Sequence, residues 1–351
     1  EQAIGLLGST AIVPESNKYI QSQDVAKIVC KEDLLDKNFA FYLMSSTLVK
    51  QQLSVAAQQT KIRHTSPDKI KGCTVWISEL GEQKRIGKLL RTLDRKIELN
   101  RAINDNLEAM AKQLYDYWFV QFDFPNEDGK PYKSSGGVMI YNERLKCNIP
   151  KGWNVENLID FTEIRNGATP STADEDNYGG DIVWITPRDL SDQQSKFIYQ
   201  GERNITKHGF DSCSTNMLPI NSVLMSSRAP IGLVSIAKHE VCTNQGFKSF
   251  VPHNIDNSIY LYYYIKHHIK QIEQLGSGTT FKEVSREDLC KSPILVVGEN
   301  KAYEQWIELQ KEIADKQFVL TKEIAELTKQ RDKLLPLLMN GQVSVNYHLS
   351  L

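Results

Sequence analysis

The sequence predicts an α+β fold in which two similar mixed α/β domains are joined by two long antiparallel, coiled-coil-like helices. The first supporting observation is an internal repeat: Ile-Gly-Leu-Leu at residues 4–7 returns as Ile-Gly-Leu-Val at 231–234, and a segment at 59–70 returns at 278–289. The second is that each copy is followed by a short apolar run and then by a long heptad-patterned stretch. Self-similarity at a long period decides architecture before local signals do, so the repeating unit is one globular domain plus one long helix.

The domain boundaries follow from this unit and from turn-forming stretches. Pro, Gly and Ser cluster between the first long helix and the second domain, which is typical of a connecting segment. The first copy matches the second only from about residue 228, so we expect it to lack roughly its first seventy or eighty residues. The predicted segments are a partial first domain (1–79), a first long spacer helix (80–121), a linker (122–153), a second domain (154–297), a second long spacer helix with its end (298–340) and a C-terminal tail (341–351).

Both long helices carry apolar residues at heptad spacing, and each apolar seam has two polar interruptions. These are Asn100 and Asn104 in the first helix, and Gln317 and Arg331 in the second. Polar seam residues cost stability but fix register and partner. The simplest arrangement packs the two helices on each other, and packing on helices of another chain is a competing, compatible arrangement. The apolar seam positions are Ile86, Leu90, Leu93, Ile97, Leu107, Ala111, Leu114 and Trp118, then Ile313, Leu320, Ile324, Leu327 and Leu334.

Shorter patterns predict elements inside the domains. One helix is expected over 38–57 in the first domain, and another over 258–274 in the second. Pro336 is expected to break or kink the second long helix near Leu335, because proline cannot continue an ordinary helix. The predicted strands of the second domain are 182–185, 222–225, 233–237 and 248–251.

Composition is that of an ordinary soluble globular protein. The 351 residues are 40% hydrophobic and 24% charged, with a net charge of −1. No run approaches the eighteen or more apolar residues of a membrane span. The first residues lack the basic and apolar regions of a secretory signal, and the six cysteines are scattered without a Cys-x-x-Cys pair. We therefore expect a cytoplasmic protein with reduced thiols, no membrane partner and no zinc site.

One stretch of the first long helix is crowded with basic residues, opposed within it only by Asp94. A solvated helix face and a phosphate-facing patch account for it about equally well. The basic residues are Lys84, Arg85, Lys88, Arg91, Arg95 and Lys96.

Short Gly/Ser/Thr/Asn-rich segments with single Arg or Lys residues recur through the second domain and carry the chemistry of nucleic-acid binding. Hydroxyls and free backbone amides bind phosphate oxygens, whereas Arg, Asn and Gln side chains read base edges. Each segment alone is more often a simple turn. The candidate DNA-binding residues are Arg165, Thr169, Ser171, Arg188, Ser226, Ser227, Arg228, Asn244, Gln245, Thr279, Thr280 and Lys282, with the repeat-related Thr60, Lys61 and Arg63 in the first domain.

Enzyme signatures are missing, so we predict neither a catalytic nor a metal site. The Gly-Ser-Gly at 276–278 is not followed by the Gly-Lys-Ser/Thr of a phosphate-binding loop. The Asn-Pro-Pro-Tyr of adenine methyltransferases and the Asp…Glu-x-Lys pattern of nucleases are not found, and the histidines lack metal-ligand spacing.

Taken together, the segments resemble the specificity subunit of type I restriction-modification systems. The resemblance rests on the order of motifs along almost the whole chain, including the first spacer from Glu82 to Asn100 and its close at 118–124. In the second domain the motifs are Gly-Ala-Thr-Pro-Ser (167–171), Gly-Gly-Asp-Ile-Val-Trp (179–184), Ser-Ser-Arg-Ala-Pro-Ile-Gly (226–232), Thr-Asn-Gln-Gly-Phe (243–247) and Gly-Thr-Thr-Phe-Lys (278–282), with Leu-Leu-Pro-Leu-Leu-Met-Asn-Gly (334–341) closing the second spacer.

The resemblance implies a DNA reader without catalysis of its own. Two target-recognition domains would read a two-part double-stranded DNA site and recruit two methylation subunits, which use S-adenosylmethionine, within a multi-subunit adenine methyltransferase. The full complex would add ATP- and Mg-dependent translocating nuclease subunits. A scaffold or tether built on the same helical rod, without base readout, is the alternative. Partner contacts are expected at the helix ends, through Trp118, Phe119, Phe122, Leu337, Leu338 and Met339.

Overall fold

The computed structural model describes residues 8–15, 17–22, 25–56, 66–193, 195–228, 230–277, 282–298 and 300–345. Two compact units divide the chain. The terminal unit takes the described residues of Glu1–Ile103 and Lys322–Leu351, and the central unit takes those of Asn104–Thr321.

The described elements are helices and strands in mixed order. The helices are α1 (Lys37–Ser45), α2 (Thr47–Ala56), α3 (Pro67–Lys71), α4 (Leu80–Tyr115), α5 (Leu158–Phe161), α6 (Pro187–Gln193), α7 (Lys207–Asp211), α8 (Ser258–His267), α9 (Ile269–Leu275), α10 (Arg286–Lys291) and α11 (Lys301–Met339). The strands are β1 (Met139–Asn142), β2 (Cys147–Pro150), β3 (Asn154–Asn157), β4 (Thr162–Asn166), β5 (Tyr178–Ile185), β6 (Phe197–Ile198), β7 (Asn204–Ile205), β8 (Val223–Ser227), β9 (Ile231–Ala237), β10 (Cys242–Thr243), β11 (Phe247–Pro252) and β12 (Pro293–Val296).

The terminal unit packs α1 and α2 against the first part of α4 and the end of α11. Its core joins Phe39 of α1, Leu53 of α2 and Leu90 of α4 to Met339 of α11. The prediction of one helix over 38–57 is wrong, because the backbone at Ser46 is extended and separates α1 from α2.

Polar pairs join the two long helices within the terminal unit. Asn100 is 5% exposed, and its Nδ2 donates to Glu323 Oε2 at 2.8 Å. Arg331 Nη1 donates to Asp94 Oδ1 at 2.9 Å. The partner number falls as the position on α4 rises, so the two helix segments run antiparallel in this unit.

The segments of α4 and α11 inside the central unit also run antiparallel. Gln317 Nε2 donates to Glu108 Oε2 at 3.1 Å, and Gln310 Nε2 donates to the Ala111 carbonyl at 3.0 Å.

The first long helix, α4, closes with a π-helical turn over Asp116–Val120. Pro336 does not break the second long helix: α11 continues through this proline to Met339, where the missing amide removes one hydrogen bond close to the helix end. A kink near Leu335 stays a prediction.

Among its described residues, the central unit also has four sheets. The largest has the order β4-β11-β8-β9-β6 and is antiparallel except for the parallel β9–β6 pair. A second sheet has the order β10-β5-β7. The strands predicted at 182–185, 233–237 and 248–251 lie inside β5, β9 and β11, and the strand predicted at 222–225 is β8, which begins one residue later. These four predictions are confirmed.

Two other expectations for the central unit differ from the structure. The helix predicted over 258–274 is split into α8 and α9 at His268, where the backbone leaves helical geometry. The segment 122–153 was predicted as a linker from its turn residues, yet it packs as part of the unit. Phe124 stacks on Trp153 with ring centroids 4.9 Å apart, and both rings are buried. Strands β1 and β2 form an antiparallel hairpin within the same segment.

Two properties hold for the residues that the structure describes. All six cysteines are free. None of the described helices combines the length and the apolar composition that crossing a membrane requires.

Candidate nucleic-acid interface

Several strand ends of the central unit converge on one edge. Strand β4 ends at Asn166, which lies opposite Lys248 near the start of β11, and Ser226 near the end of β8 lies opposite Phe247. Ile185 at the end of β5 is paired with Thr243 of β10. We call residues 166–171, 185–188, 228, 243–246 and 282–283 the loop cluster. Antiparallel neighbours bring the end of one strand beside the start of the next, and the parallel strands β5 and β10 end side by side, so these loops meet in space.

Backbone hydrogen bonds tie the loop cluster together. The Ala168 amide donates to the Thr243 carbonyl at 2.9 Å, and the Asn244 amide donates to the Ile185 carbonyl at 3.1 Å. The Ser227 amide donates to the Gly246 carbonyl at 2.8 Å, and the Val284 amide donates to the Ser227 carbonyl at 3.0 Å. The loops are therefore held in one arrangement before any ligand binds, which lowers the ordering cost of binding.

Gly167 allows its loop to lie close against the 243–245 segment. A Cβ at this position would lie 2.2 Å from the Asn244 carbonyl oxygen and 2.3 Å from that of Thr243. No side chain fits there, so the glycine is required for the first loop to lie against the 243–245 segment.

Three charged side chains meet at the loop cluster. Lys248 Nζ lies 3.2 Å from Glu283 Oε1, and Arg228 Nη1 lies 4.0 Å from Glu283 Oε2. The Lys248 side chain is 10% exposed, whereas those of Arg228 and Glu283 are 37% and 41% exposed. Two cations share one carboxylate, so the trio carries a net positive charge.

Several residues expected to contact DNA lie at the surface of the cluster. Thr169 and the exposed Gln245 are hydrogen-bonded to each other through their side chains. Ser171 and Lys282 are exposed. Arg188 is exposed at the start of α6, where it pairs with Asp192 and Glu202. Asn244 is half-buried, and its side-chain oxygen accepts a hydrogen bond from the Gly246 amide at 2.9 Å.

The expected DNA contacts of Ser226 and Ser227 are corrected by their burial. The hydroxyls of Ser226 and Ser227 are buried in β8 and donate to the carbonyls of Pro230 and Gly246. They shape the loop and do not face solvent. Arg165 is partly exposed. Two of its nitrogens donate to Glu163 and a third donates to the Met217 carbonyl at 2.9 Å, and its contact with DNA stays a prediction. The neighbouring carboxylate raises the pKa of this guanidinium further.

The remaining five expected DNA-binding residues lie outside the described part of the chain. They are Thr60, Lys61, Arg63, Thr279 and Thr280.

The aromatic and aliphatic residues expected to bind partners are mostly core residues. Trp118, Phe119 and Phe122 belong to the hydrophobic core of the central unit, at 9%, 5% and 7% exposure. Leu338 and Met339 belong to the core of the terminal unit. The expectation of an interface is wrong for these five because their surfaces are already buried within the chain. Leu337 alone among the six is exposed, at 38%.

An open apolar groove lies instead on the long helices within the central unit. Its volume is about 630 Å³. The side chains of Met110 and Leu309 in its lining are 54% and 43% exposed. The other apolar residues that line it are Leu107, Leu114, Tyr117 and Ile313. The groove is therefore a candidate site of contact with another protein.

Half of the residues in the basic stretch of α4 form ion pairs. Three of its six cations are paired: Arg85 with Glu82, Arg91 with Glu98, and Lys96 with Glu323 of α11. Part of the stretch therefore stabilises the helices, which supports the solvated-face interpretation for those three residues.

Sequence reasoning missed Lys248 and Glu283. Both stand beside predicted residues, since Lys248 follows Gly246 and Phe247, and Glu283 follows Lys282. Their pairing becomes visible only when the segment at 283 forms a bridge with residue 228, which no local pattern predicts.

Comparisons with known proteins show which family the sequence matches. The family model described as type I restriction modification DNA specificity domain matches residues 2–109 and 150–336. The MjaIX specificity subunit of Methanocaldococcus jannaschii is 42% identical over 143 residues, which cover 40% of this chain and 33% of that protein. The HindI specificity subunit of Haemophilus influenzae is 25% identical over 384 residues, covering 93% of this chain and 81% of that protein.

Among solved structures, the specificity subunit of a type I restriction-modification system from M. genitalium has a similar fold. The TM-score is 0.57 at 14% identity, over 87% of this chain and 73% of that one. The family model covers most of the chain, and the chain therefore belongs to the type I restriction-modification DNA specificity family.

Proposed function

We propose that this chain is the DNA-reading subunit of a type I restriction-modification complex, without a catalytic centre of its own. Specificity subunits of this family are non-catalytic, and the chemistry lies in their partner subunits. The observation that carries the proposal is the loop cluster, where strand ends of the central unit hold Arg228, Lys248 and Glu283 together with the small polar side chains of Thr169 and Gln245.

The cluster has the composition of a DNA interface. Its loops present hydroxyl, amide and guanidinium groups, which are the groups that contact phosphates and base edges. Its preformed backbone places them in one arrangement. A scaffold that only spaces other proteins would not need cations gathered at a strand edge, so DNA recognition accounts for the cluster better than tethering does.

The two-part architecture is part of the proposal. Two target-recognition domains would be joined by two antiparallel spacer helices, and the chain would read a bipartite site. Each unit repeats a helix pair, a short serine-capped helix and a long helix. The caps match: Ser66 Oγ accepts from the Lys69 amide before α3, and Ser285 Oγ accepts from the Asp288 amide before α10. Antiparallel helix segments within each unit support the same plan.

Partner subunits are the last part of the proposal. Two methylation subunits would bring S-adenosylmethionine, and translocating nuclease subunits would bring ATP and Mg. We assign one methylation-subunit contact to the apolar groove around Met110 and Leu309, because these two apolar side chains of the long helices are exposed. An amphipathic helix of the partner would cover such a groove.

Selection from a random duplex pool tests the function. The whole chain is incubated with randomised double-stranded DNA, bound duplexes are sequenced over several rounds, and binding is then titrated with salt. A DNA reader enriches a defined sequence and loses affinity steeply as salt rises. The Lys291→Ala variant is the matched control, since Lys291 is exposed at the end of α10 and outside the loop cluster. A pool that stays random, with no salt-dependent binding, would contradict the proposal.

A further inference from the structure

We infer that Arg228 and Glu283 act as one unit that reads a single guanine–cytosine pair in the major groove, with Arg228 on the guanine and Glu283 on the cytosine. The inference rests on the proposed function and adds the base pair and the residues that recognise it.

The Arg228 and Glu283 side chains are close, but they do not form a hydrogen bond with each other. Arg228 Nη1 and Glu283 Oε2 are 4.0 Å apart, which is longer than a hydrogen bond. Across the described residues, the structure shows no other polar partner for the Arg228 side chain. Both side chains are more than a third exposed at the same edge of the domain. Among the described residues, none therefore occupies the guanidinium fork or the second carboxylate oxygen.

The backbone and Lys248 hold Glu283 in place. Residue 283 forms antiparallel bridges with both Arg228 and Ser277, and its amide and carbonyl are hydrogen-bonded to Ser277 at 3.0 and 3.1 Å. Lys248 is almost fully buried, and its Nζ donates a hydrogen bond to Glu283 Oε1 at 3.2 Å. The carboxylate is thus anchored through one oxygen and presents the other, and its position relative to Arg228 is fixed before DNA binds.

The donor and acceptor order matches one kind of base pair. In the major groove, guanine offers two acceptors, O6 and N7, and cytosine offers the N4 amino donor. An arginine fork binds the guanine edge with two hydrogen bonds, and a carboxylate oxygen accepts from N4 of the paired cytosine. An adenine–thymine pair would place the thymine O4 acceptor against the carboxylate, which is unfavourable. A carboxylate also repels phosphates, so its presence beside two cations favours base readout over backbone binding.

The test measures base preference one position at a time. After selection with the wild-type chain, duplexes carrying each of the four base pairs at every position of the selected site are titrated against wild type, Glu283→Gln, Arg228→Gln and Lys291→Ala. The Glu283→Gln variant keeps an oxygen for Lys248 and replaces the free acceptor with an amino donor. Circular dichroism and thermal melting confirm that each variant is folded.

We expect wild type to prefer G·C at one position by about tenfold or more. Glu283→Gln and Arg228→Gln should each lose that preference at the same position, while all other positions and Lys291→Ala stay unchanged. Two results overturn the inference: both variants shift affinity equally for all duplexes, or they alter two different positions. A wild-type chain that selects no sequence overturns the proposed function itself, and that outcome is visible before any variant is made.

Discussion

The buried Lys196 and the half-buried Glu108 form an ion pair that joins the largest sheet of the central unit to its long helices. Lys196 Nζ lies 3.3 Å from Glu108 Oε2, and the lysine side chain is 5% exposed. The ammonium also donates to the Tyr263 hydroxyl at 2.7 Å and to Gln317 Oε1 at 3.1 Å. Tyr263 and Gln317 in turn donate to the same glutamate oxygen at 3.1 Å each. A network of this kind fixes how the sheet that carries the loop cluster packs on the helices.

This network gives the central unit a pH-dependent stability. Burial lowers the pKa of Lys196 to about 8, whereas Glu108 opposes that shift. The unfolded lysine keeps its ordinary pKa near 10.5, so unfolding takes up a proton between about pH 8 and pH 10.5. The contribution of Lys196 to the free energy of unfolding therefore rises as pH rises through this window.

We expect Lys196→Met to remove that contribution. The free energy of unfolding of wild type minus that of the variant should increase by on the order of 2 kcal/mol from pH 8 to pH 10. Burial raises the pKa values of Tyr115 and Tyr260, but both proteins share this effect and the difference cancels it. Urea unfolding at several pH values measures the difference. A difference that does not change with pH would show that Lys196 does not titrate in this way.

Gly87 of α4 lies against the start of α1 in the terminal unit. A Cβ there would lie 2.7 Å from Asp36 Oδ1 and 2.8 Å from the Phe39 amide nitrogen. We expect Gly87→Ala to lower the melting temperature despite the helix propensity it gains, because Asp36 caps α1 and must move. Gly81→Ala is the control in the same helix, since its nearest neighbour is a flexible arginine tip at 3.9 Å, and it should be neutral or stabilising. Equal effects of the two substitutions would contradict this packing.

Asp94 of α4 forms hydrogen bonds with both α1 and α11 in the terminal unit. It accepts hydrogen bonds from the Tyr42 hydroxyl and from Arg331 Nη1. We expect Asp94→Ala to destabilise the chain by about 1–3 kcal/mol, because the buried tyrosine hydroxyl loses its acceptor. Asp332→Ala removes the other, exposed partner of Arg331 and should cost less than about 1 kcal/mol. Chemical denaturation of both variants measures the contrast, and similar losses would remove Asp94 from this role.

Substitutions at Trp118 and Met110 distinguish a residue that packs in the core from one that we expect to bind a partner. Trp118→Ala should destabilise the central unit by about 3–5 kcal/mol, since it empties a core position. Met110→Ser should change stability by less than about 0.5 kcal/mol because the side chain is exposed, yet it should weaken co-purification of a methylation subunit. Full retention of the partner by Met110→Ser would place that contact elsewhere.

The sequence predicted the long helices and the strand cores well, because both depend on local periodicity. Ile86, Leu90 and Ile97 are buried at their heptad positions, and Asn100 makes the polar seam contact expected of it. The breaks at Ser46 and His268 escaped prediction because each is a single-residue change of backbone inside an apolar pattern.

The site was predicted in outline only. The Gly167 and Gln245 segments were correctly selected as loops, and the structure brings them together. Trp118 and Met339 were misassigned because an aromatic or aliphatic cluster looks the same in sequence whether it fills a core or an interface. The role of Glu283 depends on a bridge to a residue far away in the chain, and composition carries no signal for it.

DNA affinity of the whole chain as a function of salt tests the central claim most directly. The dissociation constants of the selected duplex and of a scrambled duplex are measured for wild type and Arg228→Ala over a range of salt concentrations. We expect log affinity to fall linearly with log salt for both duplexes. Arg228→Ala should weaken the selected duplex by about 1–3 kcal/mol and the scrambled duplex far less. Unchanged affinity of Arg228→Ala for both duplexes, at every salt concentration, would contradict the assignment of the loop cluster as the DNA interface.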